Sequence, residues 1–398
     1  MSSQPGVRQR LEALRPEQRA ALDRALARRA QKPAATAVPE RRARRADSTM
    51  DFSLFFFSGN GATDDPGKYD LLLDCARYAD AHGFSGIWLP ERHFVEFGGL
   101  YPNPSVLAAA VAVVTSRIQL RAGSVVLPLH HPVRIAEEWA VVDNLSGGRV
   151  AISAASGWHP DDFVVAPAGP AGHATRREDM YTTLDVVRRL WSGEEVGLDR
   201  GDGTEQRVRT YPRPRQSTLP VWLSATGSTD TFIRAGALGA NILTGAHAGQ
   251  RLDEVGERIA AYRKARADNG HDPAAGVVTM MVHTYLGTDE DAVRAEVRGP
   301  LIGYLETFLR QQPGAGADAM RPADREALLG ATFDRYYESL ALLGTPDKGA
   351  AFIEDLVDIG VTEVACLVDF GVPAPRVLAA LDHLTALRET YRPGRVDG

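Results

Sequence analysis

From Met50 onward, short apolar runs alternate with amphipathic stretches of helical period. The runs are Phe52–Phe57, Gly86–Leu89, Ile118–Leu127, Arg149–Ala155, Val221–Ser224, Asn241–Thr244, Val277–Leu286 and Glu363–Val368. Several are apolar without alternation, the pattern of parallel strands buried on both faces. The stretches between them read as helices. Lys68–His82 places Leu72, Ala76 and Ala79 on one stripe and stops at Gly83. Pro132 stands at a first-turn position, and Thr175-Arg-Arg-Glu178 has the spacing of a capping box that opens a helix ending before Gly193. Eight strands, each followed by a helix, predict a (β/α)₈ barrel over residues 50–392.

Three stretches interrupt the rhythm: Pro90–Tyr101, a Gly/Pro/Arg-rich insertion at 193–219, and a helical insertion at 289–345 with Gly314-Ala-Gly316 as its expected hinge. Strand-to-helix loops build the active site of such a barrel, so the first and third interruptions are expected as lids. Before the barrel, residues 1–30 read as a short helix that suits a docking element. Residues 31–49, with Pro33, Pro39 and four arginines between 41 and 45, read as a linker.

Composition bounds the rest. Of 398 residues, 44% are hydrophobic and 24% charged, enough apolar material for a large core. Two cysteines in patterned segments argue against a disulfide framework and for a cytoplasmic protein. No apolar run reaches the ~20 residues of a membrane span. Residues 1–49 carry 12 Lys/Arg against 5 Asp/Glu, whereas the remainder is acidic. That basic head has no aromatic residue to stack a base, so no nucleic-acid or membrane partner is expected.

The densest chemistry follows the second strand: Trp88-Leu-Pro-Glu91-Arg92-His93-Phe94-Val-Glu96-Phe97-Gly98-Gly99, then Tyr101 and Asn103. His93 is a candidate acid–base group; Arg92 paired with Glu91 or Glu96, with His93 bracing the loop, is the structural alternative. His130-His131-Pro132 closes the third strand, with ligand contact or a structural hydrogen bond as its two readings. A metal needs more ligands than this pair offers. The small residues Ser156 and Gly157 beside Trp158 suit close approach of a planar ligand, or close packing of the barrel top. The turn Ala225-Thr226-Gly227-Ser228-Thr229 opens a helix, where free amides suit a phosphate; ordinary capping by Ser228 or Thr229 is the alternative. Arg176 and Arg177 are candidate cations for that phosphate. No P-loop, dinucleotide fingerprint or Gly-x-Ser-x-Gly elbow is present.

These segments resemble bacterial luciferase and its relatives. Trp88 to Gly98 is similar to the signature after strand two. Leu127-Pro-Leu-His-His-Pro-Val-Arg-Ile-Ala-Glu137, Asp143-Asn-Leu-Ser-Gly-Gly-Arg149, Ala225 to Thr229 and Leu343-Gly-Thr-Pro-Asp347 follow in the family's order. The resemblance covers about residues 50–390. It is nearest to the branch found beside or within nonribosomal peptide and polyketide synthases. Residues 11–29 resemble, more weakly, the helix that opens condensation domains.

The resemblance implies a two-component monooxygenase using reduced FMN from a separate flavin reductase, with O₂ giving a flavin hydroperoxide. It implies a natural-product substrate, free or on a carrier protein or synthase module, and a homo-oligomer. Ser156, Gly157 and Trp158 would then lie near the isoalloxazine or ribityl chain. Ala225, Thr226, Gly227, Ser228, Thr229 and Arg176 would hold the phosphate, and His93 would line the oxygen site. Glu91, Asn103 and His131 are expected on the substrate side. One position departs from luciferase, where a catalytic histidine stands in the place of Arg92. Arginine cannot act as a base, so light emission is not expected. Arg92 instead suits an oxyanion or a substrate carboxylate. Two rival readings are a deazaflavin-dependent oxidoreductase of the same fold and a non-catalytic barrel docked to a synthase.

Overall fold

The computed structural model describes Arg45, residues 48–57, 67–247, 249–311 and 321–392. The helix at 1–30, nearly all of the linker and the hinge at 314–316 lie outside the described residues. At the linker's end, Arg45 pairs with Glu354 (3.0 Å) and Asp358 (2.7 Å), and Ser48 donates to the same Glu354 at 2.8 Å.

The barrel is closed. Strands β1 (Asp51–Phe55), β2 (Gly86–Leu89), β3 (Gln119–Val126), β4 (Val150–Ala155), β7 (Val221–Ser224), β8 (Asn241–Gly245), β9 (Val278–Leu286) and β11 (Glu363–Leu367) pair in parallel round a full circle, β8–β9 closing it. A short strand, β10 (Leu342–Gly344), lengthens the upper half of β9. These are the eight runs expected from the sequence, trimmed by a residue or two at their ends. Parallel pairing puts all eight carboxyl ends at one mouth.

The helices start and stop where local chemistry dictates. Helix α1 (Asp70–His82) ends at Gly83, whose φ of +75° suits a residue without Cβ. Helices α2 (Pro104–Ala112) and α3 (Pro132–Ser146) each begin at a proline, whose missing N–H would have no helical partner there. Helix α4 (Arg176–Ser192) begins where expected, but not through a capping box. The Thr175 hydroxyl donates to Asp179 at 2.7 Å and makes no cap bond. The insertion at 193–219 also differs from its expected loop: Val196–Asp199 (β5) and Glu205–Val208 (β6) form an antiparallel hairpin. The remaining helices are α5 (Thr229–Ala237), α6 (Leu252–Asp268), α7 (Glu290–Gln311), α8 (Pro322–Ser339), α9 (Pro346–Asp358) and α10 (Ala374–Thr390). Helices α7 and α8 form the expected insertion before the last strand.

The lower barrel is held by an ion pair. Arg121 Nη1 lies 2.6 and 2.7 Å from the two carboxylate oxygens of Glu363, and its guanidinium is 4.9 Å from the rings of both Trp88 and Trp222. Ser85 and Thr279 donate to the same carboxylate. Trp88 and Trp222 send their indole N–H groups to Ser53 and Thr279. Burial alone would raise the Glu363 pKa, but Arg121 and the hydroxyls outweigh it and hold it below the usual carboxylate range. Both cysteine thiols are free and buried, Cys366 pushed up to about 12 by burial, so neither is a reactive thiolate.

Removing one partner of this pair strands a buried charge. Arg121→Ala is expected to cost about 3–5 kcal/mol in guanidinium unfolding, and Arg121→Leu combined with Glu363→Leu distinctly less. Equal losses in the single and double variants would contradict this account.

Candidate active site

At the mouth, the ends of the neighbouring strands β2 and β3 converge on one side chain. Glu91, after β2, is 7% exposed as a residue and its carboxylate is wholly buried. Its Oε1 is 3.0 Å from His93 Nε2 and 2.6 Å from His130 Nε2, and its Oε2 accepts the Val126 amide at 2.7 Å. An ionised carboxylate only accepts, so both imidazoles present Nε2–H to it. When neutral, each therefore keeps Nδ1 as a basic atom.

Burial would raise the Glu91 pKa, but bonds from His130 and His93, the His130 charge and the Val126 amide bring it below the ordinary carboxylate value. Burial would lower the His130 pKa, but Glu91 outweighs that and raises it. The two groups thus hold each other charged.

Arg92 faces inward and is 2% exposed, yet its partner is neither Glu91 nor Glu96. Nη1 lies 3.2 Å from Asp162, in the 3₁₀ turn Pro160–Val165, and Nη2 donates to Gln311, at the end of α7, at 2.6 Å. The guanidinium also stacks 4.7 Å from the Trp158 ring centroid. Both terminal nitrogens are thereby engaged, so Arg92 ties three excursions together rather than presenting an open fork to an oxyanion. Beside the two residues, Phe94 takes a left-handed backbone (φ +58°) while 64% exposed. That conformation is uncommon for a bulky side chain and marks this loop as strained.

The other expected site residues separate into two groups. Asn103 and His131 are helix caps. Asn103 Oδ1 accepts the Ser105 and Val106 amides ahead of Pro104, and exposed His131 accepts the Val133 amide ahead of Pro132. The histidine turned to the site is His130, named in the pair by the sequence reading, which placed His131 on the substrate side instead. The proline signal was available: the residue before a first-turn proline is the cap, leaving the earlier histidine free.

Ser156 and Gly157 sit half-buried at the end of β4. Gly157 has φ +79°, and a Cβ there would lie 2.9 Å from Val126 and 3.0 Å from Phe163. Packing thus accounts for this glycine. Arg176 donates to the carbonyls of Gly157 (3.1 Å) and His173 (2.6 Å), which fixes that loop and occupies the arginine.

After β7, Ala225 is buried and Thr226, Gly227, Ser228 and Thr229 are exposed. Ser228 is the N-cap of α5 but makes no side-chain cap bond, and nothing lies within 4 Å of where a Gly227 Cβ would stand. No side chain caps the first turn, where the Thr231 amide donates to the Ser228 carbonyl at 3.1 Å. Arg234 of α5 pairs with Asp230 of the first turn at 2.9 Å and lies 5.0 Å from the Tyr181 ring centroid, and Arg177 is exposed at the start of α4. Among the described residues, no group of three or more His, Cys, Asp or Glu side chains is placed to hold a metal, and no helix is long and apolar enough to cross a membrane.

The closed parallel barrel agrees with the comparisons. Residues 50–363 match the model of the luciferase-like monooxygenase family, and the chain belongs to that family of flavin-dependent monooxygenases. It is 25% identical over 350 residues to the oxygenase component of a flavin-dependent trigonelline monooxygenase of Acinetobacter baylyi, covering 84% of this chain and 93% of that one. It is 30% identical to limonene 1,2-monooxygenase of Rhodococcus erythropolis, over 77% of each chain. It is also 30% identical to 4-hydroxyprotoasukamycin monooxygenase of Streptomyces nodosus, over 59% of this chain and 64% of that one. The oxygenating constituent of 3,6-diketocamphane monooxygenase of Pseudomonas putida, solved with FMN, superposes with TM-score 0.69 at 18% identity, covering 87% of this chain and all of that one. An F420-dependent secondary alcohol dehydrogenase superposes with TM-score 0.66 at 14% identity, with the same coverage.

The Glu91 network gives a pH signature. The raised His130 pKa contributes stability that is complete below its free value of 6.5 and is lost as pH rises through the raised value. The lowered Glu91 pKa contributes above 4.5 and is lost as pH falls through the lowered value. Glu91→Gln is expected to cost about 2 kcal/mol between those values, less than a fully enclosed pair because His130 keeps some exposure. The deficit should shrink as the medium becomes alkaline. Thermal unfolding of both proteins across pH checks this, and parallel curves would refute it.

Proposed function

We propose that this chain is the oxygenase component of a two-component system, taking reduced FMN from a separate reductase and using O₂ to oxygenate a natural-product intermediate, free or tethered to a carrier. The observation that carries the reading is the turn Ala225–Thr229 at the strand carboxyl ends, exposed from Thr226 on and opening α5 without a side-chain cap. Amides free of a side-chain cap at a positive helix end suit a terminal phosphate ester. Arg176, which bonds backbone carbonyls through Nε and Nη1, and Arg177 beside it supply the cations at the start of α4.

Ser156, Gly157 and Trp158 are on the same rim and would border the ring system. When bound, reduced FMN supplies the activation of O₂. The chain's own residues exclude water, through α7, α8 and the loop tied by Arg92, and manage protons. His93, oriented by the buried Glu91, holds one proton at Nε2 and offers Nδ1 to a reacting group. The names of the trigonelline oxygenase component and the protoasukamycin monooxygenase support the reductase partner and the natural-product substrate in turn. The exposed apolar side chains Val106 and Val113, at and just beyond α2, and Val141 and Leu145 of α3 support self-association.

Titrating the purified chain with FMN, reduced FMN, riboflavin and F420 tests the cofactor. Ser228→Asp, which places a carboxylate at the helix start, is expected to weaken FMN at least about tenfold and leave riboflavin unchanged. A chain that binds neither form of FMN sinks the proposal; a preference for F420 selects a deazaflavin oxidoreductase on the shared fold.

A further inference from the structure

The mouth has a second side that the Glu91 network leaves unused. On β9 the side chain of Thr279 points into the barrel, donating to Glu363 and accepting from Trp222. In a strand, residues an even number apart share a face, so Met281 and His283 point inward as well, at rising height toward the mouth. His283 is 3% exposed. Three rings surround it: Tyr304 of α7 at 4.7 Å and 84°, Tyr336 of α8 at 5.4 Å and 90°, and Phe370 beyond β11 at 5.5 Å and 74°.

Among the described residues, neither ring nitrogen of His283 has a hydrogen-bond partner, and the same is true of the buried Nε2 of His247, two residues beyond the adjacent β8. Met281 and His247 adjoin, since a Cβ on Gly245 would lie 3.2 Å from Met281 Cε and 3.3 Å from His247 Nε2. Buried polar atoms are as a rule paired, so a cluster of unpaired ones inside an aromatic wall, under the lid, points to a ligand. Burial, and then the neighbouring His247, bring the His283 pKa down to about 3, and burial lowers that of His247. A neutral imidazole has one N–H donor and one acceptor. It matches a hydroxyl or carbonyl, whereas an anion would meet the Asp369 carboxylate, which acts on Tyr304, and would forfeit its hydration.

We propose that His283 is the substrate-positioning residue of this chamber: it hydrogen-bonds an uncharged oxygen function of the substrate, whose apolar neighbouring part packs against Tyr304, Tyr336 and Phe370. The inference rests on reading the strand carboxyl ends as the reaction chamber. It adds a substrate class, neutral and oxygen-bearing with an apolar body, and sets the His283 side of the mouth apart from the Glu91 network on β2 and β3.

Three probes of one size test it: 3-phenylpropan-1-ol, 3-phenylpropanoate and propylbenzene, titrated by saturation-transfer NMR into the full chain with and without FMN. The alcohol is expected to bind about tenfold more tightly than the hydrocarbon, and the carboxylate more weakly than the alcohol. His283→Phe should erase the difference between alcohol and hydrocarbon while leaving FMN affinity unchanged, and His283→Gln should keep part of it. If the phenylalanine variant does not fold, His283→Leu reads the same difference. The inference is overturned if the alcohol does not bind, if the carboxylate binds best, if the preference survives in His283→Phe, or if that variant loses FMN. An alcohol preference in a chain that binds no FMN would sink the cofactor reading and leave this one standing.

Discussion

A carboxylate with no exposed surface must be met by donors from the protein, and Glu91 takes its donors from three places at once. The His93 imidazole comes from its own loop, the His130 imidazole from the end of β3, and the Val126 amide from the last residue of that strand. This requirement sets the geometry of the mouth. It fixes the rotamer of His93, holds the β2 loop against β3, and forces both rings to direct Nε2 at the carboxylate. The rest of the site is arranged around that fixed corner: Asp369, at the end of β11, accepts the Phe57 amide and the Tyr101 hydroxyl and completes the wall on the other flank.

The molecule separates stability from chemistry along the barrel axis. At the lower end, the charges of Arg121 and Glu363 are matched to each other and capped by indole rings, leaving that region closed. At the upper end, polar atoms are left with spare capacity: a basic nitrogen on His93, the amides of α5 that no side chain caps, and the two nitrogens of His283. Unspent hydrogen bonding is costly in a fold and useful in a site.

How much of this was legible in the sequence varied with the physics involved. The eight strands were readable because each is a near-continuous apolar run, which only a doubly covered parallel strand requires. Helix ends at Gly83 and Gly193 were readable because a left-handed stop needs glycine. The β2 loop was recognisable by its density of chemistry, but the assignments within it were not, since partners 35 to 70 residues away decide them. Glu91 finds His130 and Arg92 finds Asp162 only in three dimensions. Asn103 and His131 were taken for ligand contacts although the prolines that follow mark them as caps. The hairpin at 196–208 was missed because its strands are polar and exposed, so no apolar period announces it; the turn glycines at 201 and 203 were its only local sign. His283 carries no motif at all, and its significance lies in what surrounds it.

Arg92 also bears on how the rim is held. Its partners Asp162 and Gln311 and its stacking ring Trp158 belong to the excursion after β4 and to the insertion before the last barrel strand, while Arg92 itself stands on the excursion after β2. Displacing any one of these leaves a guanidinium short of a contact in a place water barely reaches. One side chain thus joins three excursions from different strands, and the strength with which each is held at the rim is shared through a single guanidinium.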